Sequence, residues 1–361
     1  MNYIVIERYF DEKNKFTAGT KARDDMNSIL TEAGLEPIIV EAPNEKRIEA
    51  TFIKKILLHK EVTACWEKSL ARVEAGDTVI FQFPFWHHSL FLKSVIKKTK
   101  KRGVKFVAYI HDLEYLRLSR TKDLSFMQRW RIKNEELSVM GLFDKIVVHN
   151  ERMKNYIIDK LDIQENKLID LEIFDYLMSF ETTKSLKKKT RQETNYPCII
   201  AGNLDRRKAG YAYDLPNEPI FNLYGVNYTS EKKGNINYCG AFPPDELPLI
   251  MEGSFGIVWD GDRADTCRGI WGEYLKYNNP HKTSLYLACG LPVIIWDKAA
   301  LADFVTQNKV GVTVGSLNDL KNVLKNISQE EYINFQKNAG EVAEKMHRGY
   351  YTRRALEKAL L

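Results

Sequence analysis

Short apolar runs separated by longer amphipathic stretches recur along almost the whole chain, and that alternation leaves few folds open. In the first half the runs are Tyr3–Ile6, Pro37–Val40, Thr78–Phe83, Phe106–Ile110, Lys145–Val148 and Leu168–Ile173. Between them a helical period marks Lys21–Ala33, Arg47–Val73, Leu90–Lys101 and Phe126–Met140. Continuous apolar runs suit strands buried on both faces, and strands separated by helices pair in parallel through right-handed crossovers. The pattern stops at Thr182–Thr194, a polar run containing Lys187-Lys188-Lys189. A second series follows: Ile199–Ala201, Phe221–Tyr224, Ile236–Tyr238, Gly256–Trp259, Val293–Trp296 and Val310–Val314, with helical stretches at Glu246–Met251, His281–Ala288 and Leu301–Thr306. The last two helical patterns, Glu330–Lys345 and Tyr350–Leu360, bring no new strand.

The expected organisation is an α/β chain of two domains. An N-terminal domain spans 1–180, a linker 181–195, a second domain 196–345, and a closing helical segment 346–361 that packs back on the first domain. At 361 residues each half is long enough for its own core. Two such units facing one another form a cleft bordered by the carboxyl ends of both sheets, where ligands bind.

Composition removes several alternatives. The net charge of +6 is mild and fits an anionic ligand or membrane surface. Basic residues do not alternate with aromatics along one face, which argues against nucleic acid. The five cysteines lack CxxC spacing, so neither a disulfide framework nor a zinc site is expected, and the chain reads as cytoplasmic. Met1–Glu7 is a strand pattern interrupted by charge, not a signal peptide, and no apolar stretch approaches the ~20 residues of a membrane span. Neither GxGxxG after the first strand nor GxxxxGK[ST] is present.

Candidate chemistry gathers at strand ends. The most informative stretch is Asn278-Asn279-Pro280-His281-Lys282-Thr283-Ser284, followed by Gly290 and the strand Val293–Trp296. Asn279 is suited to cap a helix and Pro280 to its first turn, which reads either as free N–H groups, a positive dipole end and Lys282 holding a diphosphate or as an ordinary capped helix with a solvated lysine. Ala201-Gly202-Asn203-Leu204-Asp205-Arg206-Arg207-Lys208 offers a glycine turn with basic residues beyond it, which reads as a second phosphate cradle or as a charged surface turn. Asp260-Gly261-Asp262 ends another strand; it reads as a metal–diphosphate clamp, as hydrogen-bond acceptors for ligand hydroxyls, or as turn chemistry. In the first half, Thr17 to Asp24 sets Gly19 before a helix start, and Tyr109 to Arg117 crowds Asp112, Glu114 and Arg117 at one strand end. Asp112 and Glu114 are candidate general bases, or partners in a structural ion pair with Arg117. Phe83, Phe85 and Trp86, with His87 and His88, can stack on a sugar or cover the core. The basic run Lys97–Arg102 reads as a solvated helix end or a contact with anionic lipid.

Taken together, the segments at 172–177, 201–204, 223–228, 255–262, 278–287 and 296–303 resemble the bacterial β-1,6-galactofuranosyltransferases of O-antigen and polysaccharide assembly. The chain is also similar, more distantly, to the glucosyltransferases that extend glycans on serine-rich adhesins. The resemblance covers nearly the whole chain. It implies a GT-B fold with two facing Rossmann-like domains and an interdomain cleft, the donor nucleotide on the second domain, the acceptor on the first, and neither metal nor other cofactor. Arg206, Tyr224 and Lys282 match residues that bind uridine diphosphate in the glucosyltransferase relatives, and Gly19 matches a first-domain loop near the donor.

The candidate donor set is thus Gly19, Gly202, Asn203, Arg206, Tyr224, Asp260, Asn279, His281, Lys282 and Thr283, with Asp112, Glu114 and Arg117 as the catalytic set and Asp112 as the chosen base. The implied activity is inverting transfer of galactofuranose from UDP-galactofuranose to a glycan hydroxyl, β-1,6 to a hexoside, with a lipid-linked acceptor and peripheral contact with the inner membrane face. UDP-glucose or another UDP-hexose donor, a non-catalytic sugar-nucleotide-binding partner subunit, and self-association into a homo-oligomer stay open.

Overall fold

The computed structural model describes residues 1–8, 20–41, 52–86, 89–118, 121, 124–188, 197–230 and 234–361. The chain divides into two compact units. One holds the described residues of Met1–Lys13, Met26–Leu171 and Thr352–Leu361, the other those of Asn14–Asp25 and Glu172–Tyr351.

All twelve apolar runs contain strands; Thr78–Phe83, Lys145–Val148, Phe221–Tyr224 and Val293–Trp296 keep their expected bounds and the others shift slightly at their ends. In the first unit these are β1 (Asn2–Arg8), β2 (Glu36–Glu41), β3 (Thr78–Phe83), β4 (Lys105–Ile110), β5 (Lys145–Val148) and β6 (Leu168–Asp170). They pair in parallel in the order β2-β1-β3-β4-β5-β6. The second unit contains β7 (Cys198–Ala201), β8 (Phe221–Tyr224), β9 (Ile236–Gly240), β10 (Phe255–Val258), β11 (Val293–Trp296) and β12 (Gly311–Val314), parallel in the order β12-β11-β10-β7-β8-β9. Every residue of β3, β7, β8, β10 and β11 is buried, which is why these strands read as apolar runs interrupted only by Thr78, Gln82 and Asn222.

The second sheet has its topological switch between β7 and β10, whose outgoing connections run to opposite sides. Loops leaving two such strands part from each other and open a crevice at the carboxyl edge. Gly202 follows β7 there, and Trp259 and Asp260 follow β10. Helix His281–Ala288 covers this region by a close approach that only glycine permits. A Cβ on Gly256 of β10 would lie 2.2 Å from Cγ of Tyr286, whose ring rests against the strand.

In the first unit Trp66, Phe81, Phe83, Phe85 and Phe143 form an aromatic core, with Phe81 and Phe85 stacked at 5.0 Å. Phe83 and Phe85 therefore cover the core and are not available to a sugar; His87 and His88 lie outside the described residues. The polar run at 182–194 opens as a helix, Phe180–Lys188, begun by Ser179 Oγ accepting the Thr182 N–H. Its charged side chains hide a helix that lacks an apolar stripe. Phe126–Met140 is not one helix: a π turn at Lys133–Leu137 interrupts it. The helices Glu114–Leu118, Gly269–Tyr274 and Leu320–Asn326 are too short to show a period in the sequence, whereas Glu151–Leu161 buries an apolar face at Met153 and Ile157 that was not singled out.

A methyl group at Gly256 must displace the Tyr286 ring. Gly256→Ala is expected to lower stability by about 1–3 kcal/mol in urea titration, as overpacked cores do. An unchanged midpoint would show that helix His281–Ala288 is not seated through this contact.

Candidate functional site

The carboxyl edge of the second sheet carries most of the residues singled out in the sequence. Gly202 leaves β7 at φ 136° and donates its N–H to Tyr224 O at 2.9 Å. Asn203 Oδ1 accepts from Asp205 N and Asn227 Nδ2, both at 3.0 Å. Asp205 caps the short helix Arg206–Ala209 and pairs with Arg207, whose hydrogen bonds hold its carboxyl down to about 2. Arg206 is instead stacked on Tyr213, 4.1 Å from the ring centroid. Tyr213 stacks on Tyr228 at 4.9 Å, and Tyr228 on Tyr238 at 5.2 Å. This guanidinium–aromatic ladder was missed in the sequence, because Tyr213 and Tyr228 come from two connections and Tyr238 from β9, which only sheet order brings together.

Lys282 lies in the first turn of helix His281–Ala288, as expected, but it is not a free cation. Its Nζ donates to Trp259 O at 2.8 Å and Asp260 Oδ1 at 2.9 Å, with the two side chains 13% and 7% exposed. The ammonium keeps one further donor for a ligand. Asp260 therefore faces Lys282, and Asp262 pairs with Arg268 at 3.5 Å. Among the described residues no group of three or more His, Cys, Asp or Glu side chains is placed to hold a metal ion.

The helix start differs from the expected one. Pro280, not Asn279, holds the cap position, and no side chain caps the helix. Asn279 Nδ2 donates to Glu172 O at 3.1 Å, while Ser284 Oγ donates to Phe174 O at 2.8 Å. The polar side chains of the turn thus anchor segment 172–174. Around the same turn Asn278 Oδ1, His281 Nε2, Thr283 Oγ1 and, from the connection after β7, Tyr211 OH are buried without a hydrogen-bond partner. Such orphaned atoms are costly unless a ligand completes them.

The His281 ring stacks on Tyr176 at 5.1 Å; burial, with the Lys21 charge nearby, lowers its pKa to about 4, so it is neutral at pH 7. Lys21 Nζ stands 5.0 Å from the centroid of the same Tyr176 ring, donates to Leu177 O at 2.9 Å and pairs with Asp25 at 2.7 Å and Asp245 at 3.4 Å. Lys21 was not singled out in the sequence, because Tyr176, Leu177 and Asp245 lie far along the chain and only Asp25 is local. Gly19 lies outside the described residues. The Tyr224 hydroxyl is committed to the backbone: it accepts the Glu252 N–H at 3.1 Å, the ring is 3% exposed, and burial pushes the phenol up to about 12.

The first unit holds a separate acid–base cluster beyond β4. Asp112 pairs with Arg117, and its Oδ1 is buried without a partner. Glu114 pairs with Arg131, which also reaches Glu135 at 3.4 Å. Glu136, on the π turn, accepts the N–H groups of Glu114 at 3.0 Å and Tyr115 at 2.9 Å and so caps helix Glu114–Leu118. Burial pushes Glu136 up to about 7, with Glu114 and Asp112 adding to the rise and the two N–H donors opposing it. A carboxyl raised toward neutrality beside two candidate bases makes this cluster a candidate site. No sequence signal pointed to Glu136, which the π turn alone brings back to the strand end. His149, after β5, contacts Ile110 O at 3.1 Å and is kept neutral by burial, its pKa near 4.

Two helix-linked, wholly parallel six-stranded sheets define a GT-B glycosyltransferase fold. Sucrose-phosphate synthase from Thermosynechococcus elongatus shares it with a TM-score of 0.61 at 12% identity, over 99% of this chain and 97% of that one. Residues 2–173 match the N-terminal domain, and 198–359 the C-terminal domain, of the glucosyltransferase 3-like proteins, and the chain belongs to that family. It is 36% identical to the β-1,6-galactofuranosyltransferase WbbI of Escherichia coli K12 over 299 residues, 81% of each chain. It is 25% identical to glucosyltransferase 3 of Streptococcus gordonii over 298 residues, again 81% of each.

Glu136 supplies a pH test. Its pKa is raised from 4.5 to about 7, so the folded chain binds more protons than the unfolded one between those values, and stability falls as pH rises through that window. The loss is of order 3 kcal/mol for a single carboxyl. Glu136→Gln is expected to remove this dependence, so that urea titrations at pH 5 and pH 8 diverge less than in the parent. Parallel pH profiles would show that Glu136 ionises freely.

Proposed function

We propose that the chain is an inverting glycosyltransferase that moves galactofuranose from UDP-galactofuranose to a primary hydroxyl of a hexoside, β-1,6, in bacterial surface polysaccharide assembly. The observation that carries the donor reading is the group of orphaned buried polar atoms at Asn278, His281, Thr283 and Tyr211 beside the partly satisfied Lys282 ammonium. A diphosphate brings acceptor oxygens to the Thr283 and Tyr211 hydroxyls, to His281 Nε2 when that nitrogen carries the ring proton and to the ammonium, a sugar hydroxyl donates to Asn278 Oδ1, and the helix start adds N–H groups. The Arg206–Tyr213–Tyr228–Tyr238 ladder suits the flat face of a uracil base. The galactofuranosyl donor is supported by the 36% identical relative; UDP-glucose, supported by the 25% identical one, is the second reading.

In this reading Asp112 takes the acceptor proton through its unpartnered Oδ1 while Arg117 holds the carboxylate in place. The acceptor oxygen attacks the anomeric carbon from the face opposite UDP, and Lys282, Arg206 and helix N–H groups stabilise the departing diphosphate. Because these groups supply positive charge, no divalent cation is required. A non-catalytic sugar-nucleotide subunit would have no use for the acid–base cluster of the first unit. The acceptor is a lipid-linked glycan reached from the inner face of the membrane.

Purified protein given UDP-galactofuranose or UDP-glucose and alkyl glucosides in excess EDTA is expected to turn over the galactofuranosyl donor; complete dependence on added magnesium would make Asp260 a metal ligand. Lys282→Ala strands the Asp260 charge, so the informative variant is Lys282→Met with Asp260→Asn, which keeps the pair neutral. It should fold yet lose about ten- to hundredfold in kcat/KM. Parental kinetics would reduce Lys282 to a structural role.

Asp112→Asn is expected to lower kcat by about 10²–10⁴-fold with UDP affinity barely changed. Near-normal turnover, with the loss falling on Glu114→Gln or Glu136→Gln instead, would move the base to that carboxyl.

A further inference from the structure

Helix Phe126–Ile132 of the first unit presents Phe126, Met127 and Trp130 to solvent at 78%, 58% and 41% exposure. Folded chains seldom leave three large apolar side chains together on seven residues without a partner. The helix carries no acid: its start is held by the neutral Ser125–Gln128 capping box, and exposed Arg129 and Lys133 flank the apolar residues. The same combination recurs where helix Phe52–Ser69 begins. Ile53, Ile56 and Leu57 are exposed there beside exposed Lys54 and Lys60, with no acid before Glu61.

Both segments lie on one side of the sheet. A helix that links parallel strands starts at the carboxyl edge, which puts the first turns after β2 there. The turn bearing Glu136 is tied to Glu114 and Tyr115 just past β4, so the helix that precedes it stands at or beyond the same edge. The basic run Lys97–Arg102 lies instead at the end of helix Leu92–Lys100, away from the carboxyl edge, and although Lys97, Lys98, Lys101 and Arg102 are exposed, three of its five basic side chains have protein partners. Lys98 pairs with Glu67, Lys100 with Asp144, and Arg102 donates to the carbonyls of Leu70, Ala71 and Val73.

We propose that this edge of the first unit docks on an anionic membrane surface, with Phe126, Met127 and Trp130 entering the headgroup region and Arg129, Lys133, Lys54 and Lys60 facing acidic lipid. Basic amphipathic helices with aromatic and aliphatic faces bind in this way. A second copy of the chain is a poor occupant, because a two-fold contact sets like charges against each other. The docked edge carries Asp112, so a lipid-borne acceptor would be delivered to the base; that link rests on the proposed transfer, whereas the docking does not.

Flotation of the full chain with vesicles tests it. The protein should float with phosphatidylcholine vesicles containing one-third phosphatidylglycerol, not with phosphatidylcholine alone, and release in half-molar salt. Phe126→Ser with Trp130→Ser should weaken binding roughly tenfold or more, with melting temperature and transfer to a water-soluble glucoside unchanged. Lys97→Gln with Lys101→Gln should bind as the parent does. Failure to float, parental binding by the Phe126/Trp130 variant, or loss of binding on changing Lys97 and Lys101 would overturn the proposal. So would a parental dimer in sedimentation that the Phe126/Trp130 variant abolishes, since the patch would then be a self-association face. Transfer to soluble glucosides reads the proposed activity independently, so the two readings fail separately.

Discussion

The Tyr286 phenol pins the second unit together. Its ring lies on β10 where Gly256 leaves room, and its oxygen accepts the Ala201 N–H of β7 at 2.7 Å. One side chain thus joins the two strands of the topological switch to helix His281–Ala288, fixing the first turn of that helix above the crevice where β7 and β10 diverge. A second close approach holds the neighbouring edge: Gly225, at φ 148°, passes so near Gly202 that a Cβ would fall 1.7 Å from its carbonyl oxygen. Backbone packing of this kind leaves the crevice little freedom, and a rigid crevice does not spend binding energy on ordering itself.

The charges of this site are held ready by partners rather than left loose. Lys282 is kept by Asp260 and a carbonyl, and Arg206 by the Tyr213 ring. Each retains capacity for a ligand, and donors already aimed cost no reorganisation when charge develops. Neutral groups matter as much. His281 and His149 are both denied protons by burial, so neither turn carries an extra positive charge at neutral pH.

In the first unit the acid–base cluster depends on the π turn at Lys133–Leu137. It widens the helix by one residue, as such turns do at functional positions, and swings Glu136 onto the N–H groups of Glu114 and Tyr115. The capped helix Glu114–Leu118 carries Arg117, which holds Asp112. The chain of restraint runs from Glu136 to the candidate base through a single turn of helix.

The strands were legible in the sequence because the central ones are nearly continuous apolar runs buried on both faces, and the edge strands β2, β9 and β12, though partly exposed, keep a short apolar core between turn residues. Helix His281–Ala288 and its Lys282 were legible from Pro280 and Gly290, which mark helix ends through backbone geometry alone. Helices such as Phe180–Lys188 were hidden by charge. What the sequence could not carry was partnership at a distance. Nothing local ties Lys282 to Asp260, Lys21 to Tyr176, Glu136 to Glu114, or Tyr213 to Tyr238, and a helix cap assigned to Asn279 passed to Pro280 once Asn279 found Glu172. Periodicity reports which face of an element is buried, so the elements and their parallel pairing follow from composition and spacing. The strand order, and with it the place where two loops part and their side chains meet, is set by long-range packing, and only the tertiary structure decides it.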